Sequence, residues 1–299
     1  MPVSTRREFL STLLNLGKAT AGVSLLGGVA TAEARKPPKS NYVSEVDRRV
    51  HERIAELRRQ GTLSPNDKTS VLVYGLQSDK HFVRVNIDEQ HMAASLIKPF
   101  VMLAAYHKIS RGKRPYGTFE SDLNAMIVHS DNSATNRVMK FVGGPSACHK
   151  IIRKYGFDKT RVSEYIPAGG RTYRNKTSAR NLSALMWKLH NRNLINSRYS
   201  ERMLEHLNHY ATSRLASLQG PLEIDELAGK TGFVGGLNGE ATRVTYSTGS
   251  GARHYTFVAM VENTRMRHAS PVKKQQWGKT TSGVIRSIFK AVHEQMIAP

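Results

Sequence analysis

The sequence predicts a mixed α/β fold of the α+β kind: a five-stranded antiparallel sheet flanked by terminal helices, with an all-helical subdomain inserted. Three observations carry this. Two strand-like runs stand early in the chain and three stand late, with a mainly helical pattern between them from Asp122 to about Leu218. Early and late strands have to join to make one covered sheet. Helical periodicity precedes the first strand and follows the last.

Composition bounds the rest. The 299 residues suit one large domain or two interleaved ones. With 39% hydrophobic and 23% charged residues, the chain is neither wholly disordered nor a coiled coil. Mean hydropathy is −0.44, and past the N-terminal region no apolar run reaches the about 20 residues of a bilayer helix. A polytopic membrane protein is excluded. A single cysteine, Cys148, rules out an intrachain disulfide, a zinc ribbon or an iron–sulfur site. No cofactor and no metal are expected.

The elements follow in order. Arg6 and Arg7, then Phe9 and Leu10, open residues 1–34. A modestly apolar stretch runs from Leu13 to Val29, broken by Lys18, and small-residue cleavage sites end it at Ala32 or Ala34. This resembles a twin-arginine signal peptide, which implies passage through the twin-arginine translocase and a soluble, periplasmic or otherwise exported product. Residues 35–40, with Pro37 and Pro38, read as a linker. The folded domain is expected over 41–299, with 41–98 and 220–299 as its sheet part and 99–219 as its helical part.

Within it, Val43 to Arg59 repeats apolar residues at helical spacing, and Gly61 ends that helix. Ser70 to Leu76 and Phe82 to Ile87 form a hairpin. Ala94 to Ser110 reads as a buried helix. A Gly/Pro-rich interruption falls at Ile166 to Gly170. Strands are expected at Glu226 to Phe233, Ala241 to Ser247 and His254 to Glu262, and a closing helix at Thr281 to Ile297.

Lys plus Arg outnumber Asp plus Glu by 45 to 23, a net charge of +22. Loss of residues 1–34 removes three basic and two acidic residues, so the excess belongs to the working chain. Such a balance favours anionic surroundings. An exported chain meets anionic cell-wall polymer rather than nucleic acid. A monomer is expected.

Three short motifs carry chemistry. Ser95 and Lys98 stand three apart at the start of the buried helix, on one face, where an amine can take a hydroxyl proton. Alone this is a weak signal, because Ser110/Lys113, Ser270/Lys273 and Ser287/Lys290 match it too. Ser130, Asp131 and Asn132 follow on a loop between helices. Lys230, Thr231 and Gly232, the one Lys-Thr-Gly triplet, sit in a strand. Glycine there would let a substrate backbone approach the strand edge.

In this order and context the motifs resemble those of the class A β-lactamase family and of the penicillin-binding proteins that share its fold. Met126 to Asn136, Val142 to Pro145, Met92 to Ser95, and Thr160 with Arg161 extend the likeness over roughly residues 41 to 298. The resemblance implies an active-site serine hydrolase. Ser95 would be the acylated nucleophile, Lys98 its base and Ser130 the proton relay to the leaving nitrogen. Asn132 would bond the substrate amide and Lys98. Lys230 would supply positive potential and attract the substrate carboxylate, Thr231 would hold it, and Gly232 would belong to the substrate-binding strand edge. The N–H groups of Ser95 and Phe233 would form the oxyanion hole. Arg243 is either a second carboxylate contact or a solvated strand arginine.

The chain departs from class A at one telling place. If Pro167 aligns with the family's loop proline, Ile166 stands where the family has the glutamate that activates the deacylating water. Glu164 could replace it only in a rebuilt loop. The stretch from Ser95 to Ser130 is short for class A, and residues 233–240 read as a lengthened turn. Slow deacylation is expected. The substrate is a β-lactam or the D-alanyl end of a peptidoglycan peptide, the latter read by a carboxypeptidase or endopeptidase. A non-catalytic wall-binding protein would have no reason to keep a base beside a nucleophile. A zinc enzyme built on His206 and His209 lacks a ligand framework, and a helix-surface pair is the simpler reading.

Overall fold

Helix α1 (Glu45–Arg59) forms because Val46, Val50, Ile54 and Leu57 fall on one buried face, with Ser44 accepting the Asp47 N–H at its start. The computed structural model describes residues 42–112 and 116–297, all within a compact unit spanning Lys39–Pro299. The expected signal peptide and linker lie outside the described residues.

Strands β1 (Lys68–Gly75) and β2 (Lys80–Val85) make the early hairpin. A two-residue strand β3 (His91–Met92) follows and pairs with β4 (Lys176–Thr177) in a small second ladder that the sequence did not announce. The late strands are β5 (Ile224–Val234), β6 (Leu237–Thr248) and β7 (Gly251–Glu262). The main sheet is antiparallel throughout, in the order β2-β1-β7-β6-β5, so the five-stranded expectation holds and β5 is an edge.

The closing helix α8 runs from Pro271 to Met296, ten residues longer at its start than its apolar pattern shows. Its first turns are polar, but Ser270 caps them and Pro271 occupies the first turn, where a missing N–H costs nothing. The expected long turn over 233–240 is also corrected. Val234 pairs with Leu237, and only Gly235 and Gly236 turn the chain, Gly236 at φ 103°. What lengthened is the pair of strands.

Helices α1 and α8 cover one sheet face. Val71, Val73, Val244, Tyr255 and Phe257 from alternate strand positions meet Val50, Ile54, Ile285 and Phe289 there. On the other face α6 (Ala179–His190) crosses β1, β6 and β7. The helical half is built round α2 (Lys98–Ile109), buried on almost every side. Against it pack α3 (Glu120–Ile127), α4 (Asn132–Val142), α5 (Pro145–Lys154) and α7 (Ser197–Asn208). His206 of α7 is buried beside Tyr106, so it is core rather than half of a surface pair. Among the described residues, no helix is long and apolar enough to cross a membrane.

Candidate active site

Ser95 lies in a single 3₁₀ turn, Ala94–Ile97, that leads into α2. Ala94 there takes φ 44°, a left-handed conformation that costs a non-glycine residue about 1–2 kcal/mol. The turn is held against β5. A Cβ on Gly232 would stand 3.1 Å from both Ala93 O and Leu96 N. The glycine of the Lys-Thr-Gly triplet therefore makes room for the turn that carries Ser95.

Lys98 opens α2 and its side chain is fully buried. Its Nζ donates to Ser130 O at 2.5 Å, to Asn132 Oδ1 at 2.9 Å and to Ser130 Oγ at 3.1 Å. Ser130 Oγ in turn donates to Ser95 Oγ at 3.0 Å. The hydrogen-bonded path from the amine to Ser95 thus runs through Ser130. Ser130 reaches this position at φ 57°, and Asp131 beside it caps α4 by accepting the Ala134 N–H. The middle residue of the triplet anchors the loop to a helix start.

Electrostatics follow from burial. Removal from water, then the nearby Lys230 charge, brings the Lys98 amine down to about 7. Lys230 is buried in β5 and comes down to about 8, through burial first and the Arg214 charge second. An amine that titrates near neutrality can exist as free base beside a hydroxyl. Thr231 is buried with its Oγ1 2.6 Å from Thr212 Oγ1, while the Phe233 ring is 46% exposed at the cleft's rim. The cleft measures about 300 Å³, and Ser95, Ser130, Asn132, Ile166, Gly170 and Phe233 are among its walls.

Of the residues read from sequence, Ser95, Ser130, Asn132 and Phe233 line the cleft and Lys98 bonds to two of them, while Lys230, Thr231 and Gly232, just before Phe233 on β5, are not among its walls. Arg243 is not among them either. On β6 it pairs with Ala228, two positions along β5 from Lys230, and its guanidinium is bonded to Glu226. It is neither a solvated arginine nor a contact of the cleft, because a cross-strand carboxylate has already taken its charge. Sequence reading missed Arg214 instead. Arg214 Nη2 donates to Gly232 O at 3.2 Å, and its charge bears on Lys230. Glu240 holds this segment: it accepts the Arg214 backbone N–H at 2.9 Å, the Tyr210 hydroxyl at 2.8 Å and the Ser213 hydroxyl at 2.6 Å. Burial pushes the Glu240 carboxyl up. No local pattern marks Arg214, since it comes from a connecting segment.

The loop over 161–176 forms the remaining wall. Arg161 and Lys176 close it by exchanging backbone hydrogen bonds of 2.8 and 2.9 Å. Asn136 of α4 clamps Ile166, donating to its carbonyl and accepting its N–H, each at 2.8 Å. The Ile166 side chain is buried at the cleft. Glu164 turns into the loop, where Oε1 accepts the Thr172 hydroxyl and the Tyr173 and Arg174 N–H groups. Its carboxylate is a brace for the loop.

Fold and cleft together define a β-lactamase-like serine hydrolase. A model of the Beta-lactamase enzyme family matches residues 114–288, and the chain belongs to that family. Among solved structures it is similar to PBP-A, in a point variant captured as the acyl-enzyme with penicillin G, at 22% identity and TM-score 0.63 over 82% of this chain and 96% of that one. An ancestral class A β-lactamase, GNCA, matches at 18% identity and TM-score 0.66, over 82% and 99%. The chromosome-encoded β-lactamase of Vibrio parahaemolyticus matches at 16% and 0.67, over 84% and 100%. At such identities the likeness is one of fold. Comparison with curated proteins gave no match.

Proposed function

We propose that the chain is an exported serine hydrolase that β-lactams acylate at Ser95, hydrolysing the β-lactam amide with slow deacylation. The observation that carries this is the path Lys98 Nζ–Ser130 Oγ–Ser95 Oγ, at 3.1 and 3.0 Å, with an amine that titrates near neutrality at its end.

In the proposed reaction neutral Lys98 draws the Ser95 proton through Ser130. Ser95 Oγ bonds to the carbonyl carbon, and the oxyanion that forms is held by the N–H groups of Ser95 and Phe233. The C–N bond then breaks, and Ser130 returns the proton to the leaving nitrogen. Lys230 and Thr231 supply charge and a donor for the substrate carboxylate, with the Arg214 charge acting on Lys230, and Asn132 binds the substrate amide. Release needs a water placed and deprotonated at the ester. Ile166 offers it no base, and the Glu164 carboxylate already accepts three bonds from its own loop.

That same lack favours a second reading, a penicillin-binding D-alanyl-D-alanine carboxypeptidase or endopeptidase acting on peptidoglycan peptides. Both readings predict that Ser95→Ala abolishes covalent labelling by a fluorescent penicillin. Labelling of that variant at the wild-type rate would eliminate the assignment. Hydrolysis of a D-alanyl-D-alanine peptide faster than of penicillin would select the second reading.

Export by the twin-arginine route belongs to the same proposal. Arg6→Lys with Arg7→Lys should leave the precursor in the cytoplasm. Normal appearance of the processed chain outside it would sink that part.

A further inference from the structure

Across the rim from the cleft, on the α8 side of edge strand β5, lies a groove of about 610 Å³. Its floor is the Phe233 ring set on Gly278, where a Cβ would come within 2.7 Å of the ring. Its walls carry four cations, Arg214, Lys274, Lys279 and Arg286, and no carboxylate. Among the described residues, none of the three α8 cations makes an ion pair, although surface pairs are frequent elsewhere in the chain. Arg214 adds a second sign: its Nη1 is buried without a hydrogen-bond partner. An unpartnered buried donor beside unpaired cations is a place prepared for an anion.

The groove adjoins the Ser95 cleft across Phe233. Phe233 lines both, and the Lys274 stem lies over Gly235, which also lines the cleft. It is long as well. The wall of α8 from Pro271 to Arg286 spans about 22 Å at 1.5 Å per residue. That exceeds a small bicyclic antibiotic and matches about six residues of extended peptide.

We propose that this groove is a subsite for the carboxylate-rich flank of the molecule whose acyl group Ser95 receives, an acidic peptide rather than a small neutral compound. The inference rests on the acyl-transfer reading only for what is bound, since docking in the groove needs no acylation. Carboxylates suit it for two reasons. The guanidiniums of Arg214 and Arg286 can take a planar carboxylate on two N–H groups. The methylene stems of acidic side chains can lie on Phe233 and Pro271, while a phosphate chain has no apolar stem to place there.

The test uses hexa-L-glutamate as probe, fluorescein-labelled for direct binding and unlabelled as a competitor of Ser95 labelling by fluorescent penicillin. The exported chain is compared with K274Q/K279Q/R286Q, and with K140Q/K150Q/K154Q, which removes the same charge from α4 and α5. Rates are taken as ratios with and without hexaglutamate, so a change in intrinsic acylation divides out. The groove variant should bind hexaglutamate at least about tenfold more weakly at low salt and lose the competition, while the α4/α5 variant should stay within about twofold of wild type. Equal losses in both variants would mean a diffuse basic surface and overturn the proposal. So would unchanged binding in the groove variant, or tighter binding of a six-unit linear polyphosphate than of hexaglutamate. If penicillin never labels Ser95 while hexaglutamate still binds and responds to K274Q/K279Q/R286Q, the acyl-transfer reading fails and the subsite stands.

Discussion

Glu164 Oε1 accepts the backbone N–H of Tyr173 at 3.0 Å, and this contact turns the carboxylate into its own loop. Two further donors, the Thr172 hydroxyl and the Arg174 N–H, saturate the same oxygen at 2.8 and 3.0 Å. A carboxylate oxygen fixed in this way braces the loop.

The first prediction concerns that loop. Glu164→Gln should leave the lifetime of the penicilloyl-enzyme within about twofold of wild type, and should lower stability by about 1 kcal/mol as charge-assisted bonds weaken. Ile166→Glu puts a carboxylate on the cleft wall and should shorten that lifetime, by up to about 10²-fold if a water is held. Intact-mass spectrometry over hours reads both. A lifetime that lengthens markedly in Glu164→Gln would restore Glu164 as the base.

The second is the pH profile of acylation. The attacking species needs Lys98 uncharged, so the second-order rate should rise as pH passes about 7. The substrate carboxylate needs Lys230 charged, so the rate should fall above about 8. Because the Arg214 charge helps hold Lys230 down, Arg214→Ala should move the alkaline limb to higher pH and slow acylation about tenfold at neutrality. Arg243→Ala, remote and neutralised by Glu226, should leave both limbs in place. Stopped-flow acylation with a chromogenic cephalosporin gives the profiles, and a shift of the alkaline limb in Arg243→Ala alone would reverse the two assignments.

The third concerns a second serine, histidine and carboxylate set. Ser70 Oγ lies 2.7 Å from His91 Nε2, and His91 Nδ1 lies 3.0 Å from Glu262 Oε2. The geometry is that of a hydrolase triad, yet all three side chains are buried. Their place explains them: they tie β1, β3 and β7 together just before the turn that carries Ser95. Ser70→Ala should therefore keep penicillin labelling. His91→Ala should cost about 2–4 kcal/mol, since it leaves a buried carboxylate short of a partner. Chemical denaturation measures this, and loss of labelling in a fully folded Ser70→Ala would give the set a catalytic part.

The five strands of the main sheet and the buried helix after Ser95 were legible in the sequence alone, and so was the Ser95, Lys98 and Ser130 set that the fold brings within hydrogen-bond reach. Each is written locally, as alternation, helical spacing or a triplet that survives any change in the surrounding chain. The polar opening of α8 was hidden because capping by Ser270, not apolar periodicity, starts that helix. Tertiary structure decided three other matters. Gly232 yields space to the Ala93–Leu96 turn, which stands far from it in sequence. Glu164 faces its own loop, a choice made by where the Tyr173 and Arg174 N–H groups point. Arg214, and not Arg243, stands by Lys230, because Glu226 captures one guanidinium while Glu240 anchors the segment that presents the other. Charge partners are set by distance in space, and a linear pattern carries no record of distances between segments the fold brings together.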